Sequence, residues 1–120
     1  MFGRGQTALQ PAYVEDVGEA IARIFEAVQA ETVYEFAGPR IYTYRELLQT
    51  VGKRIGVRRA LVPVPFAMWQ ILASFAEFLS EPPITRNQVE LMKIDNVAST
   101  ACPGFAALGI APRGIEAVLA

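Results

Sequence analysis

Val17, Ile21, Ile24, Phe25 and Val28 lie on one helical face and predict a helix from about Val17 to Gln29. Asp16 just ahead of them, with Glu19 three residues on, has the spelling of a capping box. A second helix is predicted from Thr43, where Thr43-Tyr44-Arg45-Glu46 is a cleaner capping box followed by Leu47, Leu48, Val51 and Ile55. Gly56 suits the left-handed position just past its end. Phe66 to Ser80 is the greasiest stretch, with 11 apolar residues in 15, and predicts a third helix. Its polar stripe is narrow, made of Gln70, Ser74 and Glu77, and Pro65 fits its first turn. Thr85-Arg86-Asn87-Gln88 opens a fourth helix that should stop near Lys93, with Ile84 and Val89 placed as a hydrophobic staple.

Three stretches read as strands. Gln10 to Val14 is led in by Pro11, and Thr32 to Phe36 alternates Val33 with Glu35 and Tyr34 with Phe36. Arg59 to Val64 is confined to an edge or strand end by Pro63 and Pro65. From Asp95 to Ala120 the pattern is turns around short apolar anchors, with a brief helix at Ile115 to Leu119. Helix three would be about 22 Å long at about 1.5 Å per residue. A bilayer core needs about 30 Å, so that helix is too short to span one. Its polar stripe also lacks the Lys or Arg of a helix lying in the membrane interface. The start of the chain has no apolar signal region.

A length of 120 residues points to one domain, 1–120, able to bury a core without disulfides. With 52% apolar and 19% charged residues the chain is not intrinsically disordered. Eleven bases against 12 acids leave no basic excess for nucleic acid. The absence of histidine removes the Ser-His-Asp triad, His-ligated metal and His acid–base chemistry. The single cysteine, Cys102, permits neither an internal disulfide nor a Cys-rich zinc site, and suits a reducing, cytoplasmic compartment.

Candidate chemistry is sparse. Gly3-Arg4-Gly5-Gln6-Thr7-Ala8 spells the G-x-G-x-x-A of dinucleotide loops. The spelling works only between a strand and a helix, and here two residues precede it and Pro11 soon follows, so a turn is expected. Tyr13, Tyr34, Tyr42 and Tyr44 are followed four residues on by Val17, Gly38, Glu46 and Leu48, so no Tyr-x-x-x-Lys proton relay is present. Glu15 and Asp16 are expected to favour a helix start, with a catalytic acid pair as the alternative. Lys53, Arg54, Arg58 and Arg59 form the one cationic cluster, read as a solvated helix end or as an anion site for phosphate or acidic lipid headgroups. Cys102 has no base near it in sequence and reads as an incidental thiol. Phe66, Met68, Trp69 and Phe75 read as core or interface, with Phe66 and Trp69 the expected contact aromatics of a self-associating helix three.

The runs Gln10–Glu26 (QPAYVEDVGEAIARIFE), Val33–Gly56 (VYEFAGPRIYTYRELLQTVGKRIG) and Leu61–Gln70 (LVPVPFAMWQ) together resemble the carboxy-terminal region of extended or atypical short-chain dehydrogenase/reductases. The branch is that of NAD-dependent epimerase/dehydratase-like proteins related to the Rossmann-fold accessory subunit of respiratory complex I, NADH:ubiquinone oxidoreductase. Pro82–Val97 and the turn Leu108–Pro112 fit the same branch. The resemblance implies an α/β cap domain on the substrate side, with about four helices and a few short strands. The Rossmann core would be absent, as in a fragment or truncated product. It implies NAD(P) for the full-length protein and no cofactor site, catalytic residue or metal in this chain alone. It implies a substrate-side or assembly role, inactive in isolation. The partner would be a Rossmann domain or a second copy, with association to a respiratory complex at the periphery of the inner membrane. Two alternatives stand beside it: a stand-alone interaction module assembling through helix 66–80, and a lipid- or quinone-adjacent binder using helix three and the Lys53–Arg59 cluster.

Overall fold

The computed structural model describes residues 1–27, 31, 33–57, 59–79, 81 and 83–120. Contacts divide the chain into two units, one of Met1–Ala8 with Tyr42–Asn96, the other of Leu9–Ile41 with Val97–Ala120. The elements in order are β1 (Ala8–Leu9), α1 (Val14–Glu26), β2 (Tyr42–Thr43), α2 (Tyr44–Arg54), α3 (Phe66–Ala76), α4 (Arg86–Leu91), a 3-10 turn at Phe105–Leu108, and α5 (Ile115–Val118). The described sheet has two strands, β1 beside β2.

In the first unit α2 starts where its sequence places it. Thr43 Oγ1 accepts from the Glu46 N–H at 3.2 Å, and Glu46 Oε2 accepts from the Thr43 N–H at 2.8 Å. Two further N–H groups of that first turn, those of Tyr44 and Arg45, reach the carbonyls of Thr7 and Gly5 at 2.9 and 3.0 Å. The usual unsatisfied donors of a helix start are thereby paired. Gly56 has φ +72°, the expected left-handed residue after the helix. The capping box at Thr85 and Gln88 also forms, and α4 ends at Leu91, close to the expected stop.

α3 packs against α4, with Ala73 and Val89 fully buried. The polar stripe of α3 faces that partner. Gln70 bonds to Glu90, and Glu77 Oε2 accepts from Arg86 Nε at 2.9 Å. The apolar remainder points away: Met68, Ile71, Leu72, Phe75 and the following Phe78 and Leu79 are all exposed, Phe78 to 89%. The expected helix of 15 residues is shorter, ending at Ala76, and Ser80 lies outside the described residues.

The strand expected at Arg59–Val64 is absent over its described residues. Val64 bridges to the first residues, donating to the Met1 carbonyl at 3.0 Å and accepting from the Gly3 N–H at 2.8 Å, and the Val62 carbonyl accepts from the Met1 amino group at 3.1 Å. Pro63 and Pro65 lack the N–H groups that would continue a ladder.

In the second unit α1 begins three residues before the expected start. Tyr13 is its N-cap residue, with no side-chain capping bond. Val14, expected at the end of a strand, is helical, and the pairing strand lies earlier, at Ala8–Leu9. Gln10 serves as a side-chain brace instead. Its Nε2 donates to the Gly38 carbonyl at 2.9 Å, and its Oε1 accepts from the Ala98 N–H at 3.1 Å.

The core of this unit is Ala20, Phe105 and Ile110, with Ala12, Val17, Phe36 and Leu108 around them. The helix therefore buries its Val17–Ala20 side. Ile21 and Phe25, which share the predicted apolar face with Val17, are exposed, Phe25 to 85%. The segment expected as a strand at Thr32–Phe36 is irregular where described, and Thr32 falls outside the description. Its extended residues are used differently: the Glu35 N–H bonds to the Pro103 carbonyl at 3.0 Å, and Phe36 packs on Phe105 with ring centroids 4.8 Å apart.

Candidate functional site

Glu15 and Asp16 lie in the first turn of α1, and Asp16 is buried although charged. Its partner is Arg113, 97 residues later. The Arg113 backbone N–H donates to Asp16 Oδ2 at 2.7 Å, and its Nε and Nη2 lie 2.7 and 2.6 Å from Oδ1. Arg113 Nη2 also stands 3.3 Å from Glu15 Oε2, and the guanidinium lies 4.4 Å above the Tyr13 ring.

The capping box expected at Asp16 and Glu19 therefore does not form. Asp16 is already inside the helix and its oxygens point to Arg113, while Glu19 pairs with Arg23. The bonds from the Arg113 backbone and guanidinium hold the Asp16 carboxyl below the usual carboxylate range, and Asp16 in turn raises Arg113. Tyr13 is raised chiefly by its hydrogen bond to Glu15. A carboxylate held ionised and occupied on both oxygens is a poor proton shuttle near neutral pH. The cluster is a clamp that fastens the chain after the 3-10 turn to the start of α1.

The glycine spelling at Gly3 to Ala8 forms a turn. Gly3 and Gly5 have φ +49° and +71°, and the Gly5 N–H bonds to the Phe2 carbonyl at 3.0 Å. The turn leads into the two-residue β1 and not into a helix whose N-terminus could face a pyrophosphate. These residues do not fit a dinucleotide.

The turn instead borders two cavities within the first unit. One, of about 540 Å³, is lined by Gly3, Arg4, Pro63, Pro65 and Phe66. The other, of about 280 Å³, shares Arg4 and Phe66 and adds Gln6, Lys93 and Asp95 among others.

Lys53 and Arg54 sit in the last turn of α2, where cations complement the helix dipole. Arg59 is exposed, and Arg58 lies outside the described residues. Trp69 is half-buried, its ring 4.5 Å from Phe2 and its Nε1 donating to the Met1 carbonyl at 3.5 Å. Phe66 is also half-buried, under the Lys93 ammonium at 5.7 Å. More exposed aromatics of the same region are Phe75 and Phe78. Burial, and then a hydrogen bond to Glu35, push the Cys102 thiol up, away from a nucleophile's range.

Arg113, Glu35 and Arg4 carry these arrangements, and the sequence pattern singled out none of them. The partners of Arg113 and Glu35 are remote in sequence, and Arg4 was marked only by the Gly–Arg–Gly spelling around it.

No protein-family model matches the chain. It is similar, at 31% identity over 92% of its length, to mitochondrial NADH dehydrogenase (ubiquinone) 1 alpha subcomplex subunit 9 of Rattus norvegicus. The mitochondrial NADH-ubiquinone oxidoreductase 40 kDa subunit of Neurospora crassa is 30% identical over the same share, and the Arabidopsis thaliana alpha subcomplex subunit 9 is 26% identical over 97%. The likeness is to subunits of NADH dehydrogenase. It supports the complex I branch of the resemblance. The chain spans 30% of the length of the rat and Neurospora relatives. Those relatives are mitochondrial, and nothing in them supports a cytoplasmic location. Among the described residues no helix is long and apolar enough to cross a membrane.

Proposed function

We propose that the chain is the substrate-side, assembly part of a longer short-chain dehydrogenase/reductase-like subunit associated with NADH:ubiquinone oxidoreductase. In this reading it is a cap domain that does no chemistry by itself, and any NAD(P) site belongs to a Rossmann portion outside it. The observation that carries the reading is the similarity, which runs over 92% of this chain and only 30% of the rat relative. The exposed apolar residues of α1 and α3 agree with it, because surfaces of that kind mark places where another part of a protein packs.

The test is native electrophoresis of the tagged product in the cell of origin, followed by an in-gel NADH dehydrogenase stain. Co-migration with the stained band is expected. Migration only as a small free species would refute the association. Calorimetric titration of the isolated chain should show no micromolar, stoichiometric binding of NAD or NADP, and such binding would overturn the division of labour.

The exposed face of α3 also favours a second reading, a stand-alone module assembling through residues 66–80. Adding a Rossmann domain in trans separates the two, because only the first reading expects dinucleotide-dependent chemistry to be recovered.

A further inference from the structure

The glycine turn floors a cleft that an assembly role leaves unused. Its walls are Pro63, Pro65 and the Phe66 ring, and Arg4 stands at its rim, around a volume of about 540 Å³. Small-molecule sites occupy roughly 300–1,000 Å³ and combine apolar walls with a few placed polar groups. Gly3 lets the floor form: an added Cβ would come within 2.6 Å of the Phe66 ring, so only a bare backbone allows the ring to lie there. The prolines present flat apolar faces and no N–H.

Among the described residues, Arg4 is the one charged residue in the lining of the cleft. Arg4 is exposed, and its guanidinium has no hydrogen bond or ion pair among the described residues. Its carbonyl accepts from Arg45 Nη2 at 3.4 Å, which brings a second guanidinium beside it. Lys93 stands 5.7 Å from the centre of the Phe66 ring and lines the neighbouring cavity. The nearby acids are engaged: Glu90 bonds Lys93 at 2.8 Å, and Asp95 Oδ1 accepts from the Ala8 N–H at 2.8 Å.

We propose that this cleft binds a small aromatic carboxylate. Its ring would lie against Phe66 and the two prolines, and its carboxylate would pair with the Arg4 guanidinium. A flat body suits an aromatic ring and proline faces, and a guanidinium pairs a carboxylate through two parallel N–H donors. The proposal goes beyond the assembly reading and is independent of it.

The test is titration of the full chain with 2-naphthoate, followed by calorimetry and by the Arg4 Nε–H resonance. Saturable binding with a shifted Arg4 signal is expected. Arg4→Gln should weaken binding about tenfold or more, the size of one charge-assisted pair. The uncharged 2-naphthamide should bind wild type and variant alike, at the weakened level. Met68→Glu, on the open face of α3, should leave naphthoate binding unchanged and so report on non-specific adhesion. Equal affinity of wild type and Arg4→Gln, loss of binding in Met68→Glu, decanoate binding as well as naphthoate, or no saturation at millimolar ligand would each overturn the proposal.

Discussion

Asp16 shows how one side chain can serve a role its sequence neighbourhood hides. Its carboxylate accepts three donors from Arg113 and is buried while charged. Loss of one partner would leave the other charge without its compensation, so Asp16→Asn should lower the thermal midpoint. The pH dependence has a definite sign. The folded chain holds the Asp16 carboxyl below its ordinary range, so the folded state takes up this proton less readily than the unfolded one. The contribution is complete above the unfolded value of about 3.9 and is lost as pH falls through the lower folded one. Urea denaturation across that acid window should show a steeper loss in wild type than in Asp16→Asn. Glu77, lowered first by the Arg86 backbone N–H, keeps some acid dependence in both. Parallel curves would show that the clamp is not the source. Gly38 is a second residue whose replacement should be felt. A Cβ there would stand 2.1 Å from the Pro11 carbonyl oxygen, which is backbone and cannot swing aside. Gly38→Ala should cost about 1–3 kcal/mol of unfolding free energy, the range for overpacking.

Among the elements, α2 and α4 begin where their side chains say, and α1 does not. The difference is local against remote bonding. Thr43 and Thr85 each close a reciprocal pair with a residue three positions on, a geometry that the chain can form wherever it lies. Thr43→Ala should therefore destabilise by about 1 kcal/mol, and Thr43→Ser should restore most of it; a silent alanine variant in chemical denaturation would show that α2 does not depend on its box. Asp16 and Glu19 have the same spelling, but Arg113 and Arg23 draw their carboxylates away. α3 buries Ala73 and leaves much of its apolar surface uncovered. Its narrow polar stripe meets α4 through Gln70–Glu90 and Glu77–Arg86, and its broad apolar arc is left to solvent.

Across the chain as a whole, open apolar surface is the dominant property. Phe25 on α1, and Phe75, Phe78, Ile71 and Leu72 in the α3 region, are more than half exposed. Apolar area left in water favours association. The isolated chain should self-associate as its concentration rises, and light scattering across a dilution series should show it. Phe75→Glu combined with Phe78→Glu should return the chain toward a monomer without loss of helicity, because neither side chain is buried. A wild type that stays monomeric at high concentration would show that these faces are tolerated by the free chain.

Whatever depends on near neighbours was legible in the order of residues. The two capping boxes, the left-handed Gly56, the glycine turn and the apolar crowding of α3 all rest on residues within a few positions of one another. The strands expected at Gln10–Val14 and Arg59–Val64 did not form over their described residues, because a strand exists only where a partner completes its ladder. Pro63 and Pro65 have no N–H to donate, so the segment keeps only the bridge at Val64 and the bond to the Val62 carbonyl. Packing in three dimensions settled that α1 buries Ala20 and exposes Phe25, because the apolar pattern marks which residues share a face and not which neighbour will cover it. It also settled that Asp16 meets Arg113 across 97 positions, since the chain length between two residues carries no information about whether folding brings their charges together.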